Sequence, residues 1–206
     1  DCGPLSAPSV VGDDTMKRGQ RPEARGEGGR QDPLVSCPSS LAIVEKFVVY
    51  KGSCDEALFP GLTRAANGDL LVSFCTQFDC QPGGEAFLIR SMDEGRTWDR
   101  PISIVRSQRP DGCINLSVGL TTLRNGTVLY PCCDTKITRK WDQHEADLLI
   151  VRSHDHGSTW SDPIPIHTDV IEPFAYGKIL ELRNGDLLCP IWGKRKTDEP
   201  WRTGLV

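Results

Sequence analysis

The stretches SMDEGRTW, residues 91–98, and SHDHGSTW, residues 153–160, decide the fold of this chain. Both obey one pattern, S-x-D-x-G-x-T-W, and both follow an apolar run that ends in Arg-Ser, FLIRS before the first and LLIVRS before the second. Ser and Asp side chains hydrogen-bond turn backbone, Gly supplies a positive φ, and Trp anchors a turn on an apolar surface. Each stretch therefore reads as a turn leaving one strand and opening another. Asp93 and Asp155 are read as structural carboxylates.

Upstream of each such turn lies a hairpin. FPGLTRAANGDLLVSF from Phe59, SVGLTTLRNGTVLYPC from Ser117 and AYGKILELRNGDLLCP from Ala175 align on their Asn-Gly pairs at Asn67, Asn125 and Asn184. Asn-Gly between apolar runs signals a tight hairpin, with both turn residues expected at φ > 0. Hairpin, strand, turn and strand make a four-stranded antiparallel unit that recurs about every 58 residues, with no helical periodicity. Four-stranded units in series are propeller blades, because stacking them radially buries faces that one sheet leaves open. The chain is thus expected to be all-β, with blades at about 55–107, 111–168 and an incomplete third at 170–206. Two and a half blades do not close a ring. Together with a first residue that is Asp1 and not Met, this reads as the N-terminal part of a longer propeller. The run LAIVEKFVVYKG, residues 41–52, is expected to add an outer strand. Residues 1–40, rich in Gly, Pro and charge and nearly empty of large apolar side chains, are expected to form a disordered tail or linker.

Bulk properties exclude several classes. A net charge of −4 offers no basic surface for nucleic acid. No apolar run approaches the roughly 20 residues of a membrane span. Nine cysteines would suit a secreted or periplasmic disulfide protein. Yet Cys75, Cys133 and Cys189 fall within or beside apolar strands, where a thiol packs as a small hydrophobe. Pairings Cys75–Cys80 and Cys54–Cys113 remain open. There is no C-x-x-C spacing for zinc, and neither a metal nor a cofactor is expected.

The repeated S-x-D-x-G-x-T-W resembles the Asp box of the sialidase (neuraminidase) superfamily, over about three quarters of the chain. The resemblance implies a β-propeller, six-bladed when complete, and a glycoside hydrolase acting on terminal glycan residues. It also implies that the Asp boxes lie away from the active site. With strands running up and down in order, the Asn-Gly turns and Asp boxes share one face. The opposite face carries loops 75–85, 133–147 and 192–201 and the strand entries near 55–59, 111–115 and 172–176, and this mouth is where ligand-binding residues are sought.

In similar enzymes three arginines hold the substrate carboxylate, a Tyr–Glu pair supplies the nucleophile and an Asp acts as acid/base. Asp79 occupies the comparable loop position and is the candidate acid/base. Asp134 is its counterpart one blade on. The first family arginine sits in an Arg-Ile-Pro motif, whereas here Leu58-Phe59-Pro60 stands in its place, a departure that bears on activity toward sialic acid. The remaining catalytic groups would lie beyond Val206. Asp134, Arg139, Trp141, His144, Trp192 and Arg195 are candidate substrate-binding residues, since an aromatic ring among charged hydrogen-bonding groups suits a sugar. Asn115 and Asn125 fit the glycosylation sequon. Two functions follow: a sialidase-like hydrolase, or a non-catalytic Asp-box propeller that binds glycan or protein.

Overall fold

In a computed structural model, the chain divides into residues 1–46 and residues 47–206. The structure describes residues 46, 48–51, 57–76, 81–115, 118–137, 144–195 and 202–205. The expected tail, residues 1–40, lies outside them.

The second unit is all-β and antiparallel. The first blade is a meander of β1 (Leu58–Arg64), β2 (Leu70–Cys75), β3 (Glu85–Ser91) and β4 (Ile102–Arg106) in that order. The second has a split inner strand, β5 (Cys113–Asn115) and β6 (Thr121–Thr122), both paired with β7 (Val128–Ile137). There follow β8 (His144–Ser153) and β9 (Ile164–Pro165). The third holds β10 (Ile171–Ala175), β11 (Leu180–Glu181), β12 (Leu187–Leu188), β13 (Pro190–Lys194) and β14 (Arg202–Leu205), with β10–β13–β14 as one sheet and β11–β12 continuing the hairpin. No helix among the described residues is long and apolar enough to cross a membrane. Of the expected outer strand, residues 46 and 48–51 form no strand; instead Tyr50 stacks on Phe74 of β2 with ring centroids 4.6 Å apart.

Strand period explains the core. On β7, Val128, Tyr130 and Cys132 join Leu71, Cys75, Ala86 and Leu88 of blade one, while Leu129 and Cys133 join Phe174, Ala175, Ile179 and Ile191 of blade three. A strand clamped between two blades must be apolar on both faces, so VLYPCC reads as a continuous run and not an alternating one. Cys132, Cys133 and Cys189 are buried free thiols within these layers. Desolvation pushes the Cys132 and Cys133 thiols well above the ordinary range and the Cys189 thiol up to about 11.

The Asn-Gly hairpins differ from the expectation in one respect. Only the glycines, Gly68, Gly126 and Gly185, take positive φ, at 98°, 87° and 92°. Each loop closes through a Gly N–H donating to the carbonyl three residues back (Gly68 to Ala65 at 3.0 Å), inside a flanking bond such as Ala65 N–H to Asp69 O at 2.8 Å. That is a three-residue loop, a type I turn followed by a left-handed residue. Asn contributes its side chain: Asn67, Asn125 and Asn184 Oδ1 accept the backbone N–H two residues on, at 3.2, 2.9 and 3.1 Å.

The two S-x-D-x-G-x-T-W turns are near copies. Ser91 Oγ donates to Asp93 Oδ1 at 2.8 Å and accepts Gly95 N–H at 2.8 Å; Asp93 then accepts Thr97 N–H and Oγ1–H at 2.8 and 2.7 Å. Ser153, Asp155, Gly157 and Thr159 repeat each bond within 0.1 Å. Trp98 and Trp160 Nε1–H donate to the carbonyls of Gly95 and Gly157 at 3.0 and 3.2 Å. With every side chain of the pattern engaged in closing a turn, neither Asp is available to a substrate.

Candidate functional site

Side-chain bonds fix which ends of the strands lie together. Arg64, beside the first hairpin turn, forks onto Glu94 of the first Asp box through two bonds of 2.8 Å. Thr127, in the second hairpin turn, meets His154 of the second box at 3.2 Å. Hairpin turns and Asp boxes therefore share one face. The opposite face, the mouth, gathers the connections after β2, β4 and β7.

The mouth has a rigid seam between blades one and two. Asp134, at the mouth end of β7, is 2% exposed. Its carboxylate accepts Ser107 Oγ–H on one oxygen and Gln108 N–H at 2.7 Å on the other. Arg109 Nε–H donates to the Asp134 carbonyl at 3.2 Å, and its two terminal nitrogens reach Glu145 at 2.7 Å and Asp147 at 2.6 Å. The turn at 107–112 in turn holds blade one: Gly83 N–H donates to Gly112 O and Ile114 N–H to Gly84 O, both at 3.0 Å. Asp134, sought as a ligand contact, is thus a holding group at the root of the mouth. A buried carboxylate is tolerable only where such donors satisfy it.

The start of each blade's first strand is strained in the same way. Phe59, Asp111 and Glu172 have φ of 53°, 55° and 52°, and Phe59 and Glu172 lie within the bulges at Leu58/Gly61 and Ile171/Phe174. Non-glycine residues there cost on the order of 1–3 kcal/mol each, and bulges recur where a strand re-aims side chains beside a site. Leu58 sits at the first of these bulges, opposite Cys75. Glu172 also meets Lys194 at 3.4 Å, with both side chains largely buried.

The other expected residues fare unevenly. Asp79, Arg139 and Trp141 lie outside the described residues. His144 is placed by its backbone alone, opposite Ile137 where β7 meets β8. Trp192 is 38% exposed on β13, its ring tilted against Phe174 at 5.5 Å, and Arg195 is exposed just past that strand. These two belong to the third blade, whereas Asp134 belongs to the seam between the first two. Asn115 is only 4% exposed, whereas Asn125 is exposed in its hairpin turn. Sequence reading missed Arg109, and it placed Phe59, Asp111 and Glu172 in the strand entries of the mouth without foreseeing their positive φ.

No family profile matches the chain. A curated protein of Bacteroides fragilis named sialidase is 26% identical over 69% of this chain and 32% of its own length. Among solved structures, the Hadza microbial sialidase Hz136 superposes with a TM-score of 0.62 at 19% identity, over 71% of this chain and 34% of that one. The Trypanosoma rangeli sialidase in complex with sialic acid gives 0.54 at 14% identity, over 71% and 30%. The fold is that of the sialidase-type β-propellers, and the chain spans about a third of the length of the curated relative it matches.

Proposed function

We propose that this chain, a sialidase-type β-propeller homologue, is part of a glycoside hydrolase that removes terminal sugar residues at its mouth. The observation that carries the reading is the division of the two faces. Hydrogen-bonded hairpin turns and Asp boxes close one, while strained first strands and a charged, rigid seam build the other.

Hydrolysis of a glycosidic bond needs an acid that protonates the leaving oxygen and a nucleophile that attacks the sugar from the opposite side. Asp79, on the connection after β2, is the proposed acid/base. Arg139, Trp141, His144, Trp192 and Arg195 are the proposed sugar contacts, an aromatic face and charged edges suiting a pyranose. The nucleophile is proposed to belong to the full-length protein outside this stretch. Where similar enzymes place an arginine against the substrate carboxylate, Leu58 offers no guanidinium fork. The substrate is accordingly read as a terminal sugar that this blade does not select through a carboxylate. The same Leu58 favours a second reading, a propeller that binds glycan or protein without cleaving it.

Full-length protein assayed on a panel of aryl glycosides, with Asp79→Ala alongside, separates the readings. Turnover of one glycoside that falls by two orders of magnitude or more in the variant supports the hydrolase. Turnover unchanged by the substitution removes Asp79 from the mechanism. No turnover on any member of the panel, with glycan binding retained, selects the binding module.

A further inference from the structure

We infer that Asn125 is a site of spontaneous deamidation, and that the change ages the tie between blades two and three. The inference stands apart from the hydrolase reading above. Asparagine is a thermolabile side chain, and it is most reactive before glycine, where no β-carbon shields the following peptide nitrogen. The chain has three Asn-Gly pairs, at Asn67, Asn125 and Asn184, each with its asparagine exposed in a hairpin turn of the same type.

In the reaction hydroxide removes the proton of the glycine N–H, and the nitrogen attacks the asparagine Cγ. The N–Cγ bond forms, the Cγ–Nδ2 bond breaks, and ammonia leaves with a proton from water, closing a succinimide ring. Water then opens the ring at either carbonyl. Opening at Cγ leaves aspartate; opening at the backbone carbonyl leaves isoaspartate, with one extra methylene in the main chain.

What the three turns share cancels in a comparison. The N–H groups of Gly68, Gly126 and Gly185 are held by the carbonyls three residues back, at 3.0, 2.9 and 3.1 Å. Each Asn Oδ1 accepts the N–H two residues on. That bond polarises the carbonyl toward attack and would hold the charge that forms on its oxygen.

The difference lies two residues beyond the asparagine. Asp69 and Asp186 accept Asn67 and Asn184 Nδ2–H at 2.8 and 2.7 Å. Those carboxylates pin the carboxamide by its second end. They also place a negative charge where the reaction must build another, first on the glycine nitrogen and then on Oδ1, and a like charge disfavours the charged form. Blade two has Thr127 at that position, its hydroxyl turned to His154 at 3.2 Å. Among the described residues nothing accepts from Asn125 Nδ2, so its carboxamide is held at one end only and no carboxylate is bonded to it.

Arg124, next in the chain, gives the change its consequence. Its N–H donates to Glu181 Oε2 at 2.8 Å, and its guanidinium meets Glu181 Oε1 at 3.1 Å and Leu182 O at 2.5 Å. These bonds join the hairpin turns of blades two and three. A carboxylate at 125 competes with Glu181 for the guanidinium, and the added methylene of isoaspartate displaces the backbone beside the Arg124 N–H.

The test incubates the full-length protein for days at pH 8 and maps its peptides by mass spectrometry, reading the NH2-to-OH exchange at the three asparagines. Asn125 is expected to convert about fivefold or more faster than Asn184, the size of one exposed hydrogen bond to a charged group. Asp186 is exposed, and in Asp186→Thr the Asn184 rate is expected to rise by a similar factor. In urea the three rates should converge, since the fold no longer sets them. An Asn125 no faster than Asn184, an Asn184 rate unmoved by Asp186→Thr, or a native ranking that survives urea overturns the inference. Hydrogen exchange at the Arg124 N–H should rise in the aged fraction, separated by its added charge; exchange equal to that of fresh protein overturns the ageing of the tie.

Discussion

Gly157 lies in the second Asp box with a φ of 84°, and Gly185 lies in the third hairpin turn with a φ of 92°. Substituting each by alanine separates two costs that the fold imposes. A left-handed backbone costs an alanine about 1–2 kcal/mol, and the stiffer unfolded chain returns about 0.4–1 kcal/mol. At Gly185 nothing lies within 4 Å of the added methyl group, so only this net term of about 0.5–1.5 kcal/mol is expected. At Gly157 the methyl would sit 3.1 Å from Leu71 Cδ1 and 3.2 Å from Leu88 Cδ2. Both leucines are essentially unexposed in the layer between blades one and two, which limits their freedom to withdraw. Overpacking there adds about 1–3 kcal/mol, for a total of about 2–4 kcal/mol. The difference between the variants contains the packing cost alone, because the backbone term cancels. Urea midpoints at constant m-value measure it, and a difference near 2 kcal/mol corresponds to roughly 4–8 °C in Tm for a unit of this size. Equal destabilisation by the two substitutions would falsify the seating of the second Asp box on blade one. It would also contradict the Arg90 bonds to His156 O and Ser158 Oγ, at 3.0 and 2.9 Å, which cross the same seam.

The carboxylate of Asp93 is held down at about 2 by the N–H and hydroxyl of Thr97, and that of Asp155 is lowered in the same direction by Thr159. A depressed folded value means stability that is present above the ordinary carboxylate range and lost as pH falls from about 4 toward 2. Thermal melts across that window should therefore fall less steeply in the Asp93→Asn/Asp155→Asn double variant than in wild type, and parallel curves would refute the link. Asp134→Ala removes the acceptor of the part-buried Gln108 N–H and Ser107 hydroxyl, and loosens the turn at 107–112. Hydrogen exchange should rise at Gln108 and stay unchanged in the third hairpin turn; uniform protection would count against the clamp. Cys132 and Cys133, 0% exposed and with their thiols pushed upward by desolvation, should resist iodoacetamide at pH 8 and label fully in denaturant. Labelling of the native protein, read by mass spectrometry, would show the layers to be open.

The blade pattern was legible because each signal is local. An Asn-Gly pair, an Asp box and the apolar strands around them occupy short windows, and their recurrence at one spacing leaves few architectures. Turn type was less legible. Asn-Gly fits both a two-residue loop with two left-handed residues and a three-residue loop with one. The cross-strand register, which pairs Ala65 with Asp69, Leu123 with Thr127 and Leu182 with Asp186, decides between them. Of the expected outer strand, 41–52, only residues 46 and 48–51 are described, and there an apolar run shows that a segment seeks cover but not what covers it: Tyr50 stacks on Phe74.

The site was less legible still, and for a reason that Asp134 makes concrete. Its place in the chain puts it at the mouth, as loop position suggested, but a carboxylate at the end of a strand points where the period of two sends it. Val128, Tyr130 and Cys132 face blade one, so Asp134 continues their side and turns into the seam. That step was available from sequence once the buried face of β7 was known, and nothing in the residue type alone supplies it. Arg109 shows the opposite limit. The stretch QRPDG gives no local hint of importance, since Glu145 and Asp147, which grip the guanidinium, come from a strand that begins 35 residues later. Loop position thus identifies the face of a propeller on which chemistry can occur, while strand parity and cross-blade pairing decide which charged groups on that face stay open to a ligand. By that criterion Asp134 and Arg109 are spent on the seam between the blades.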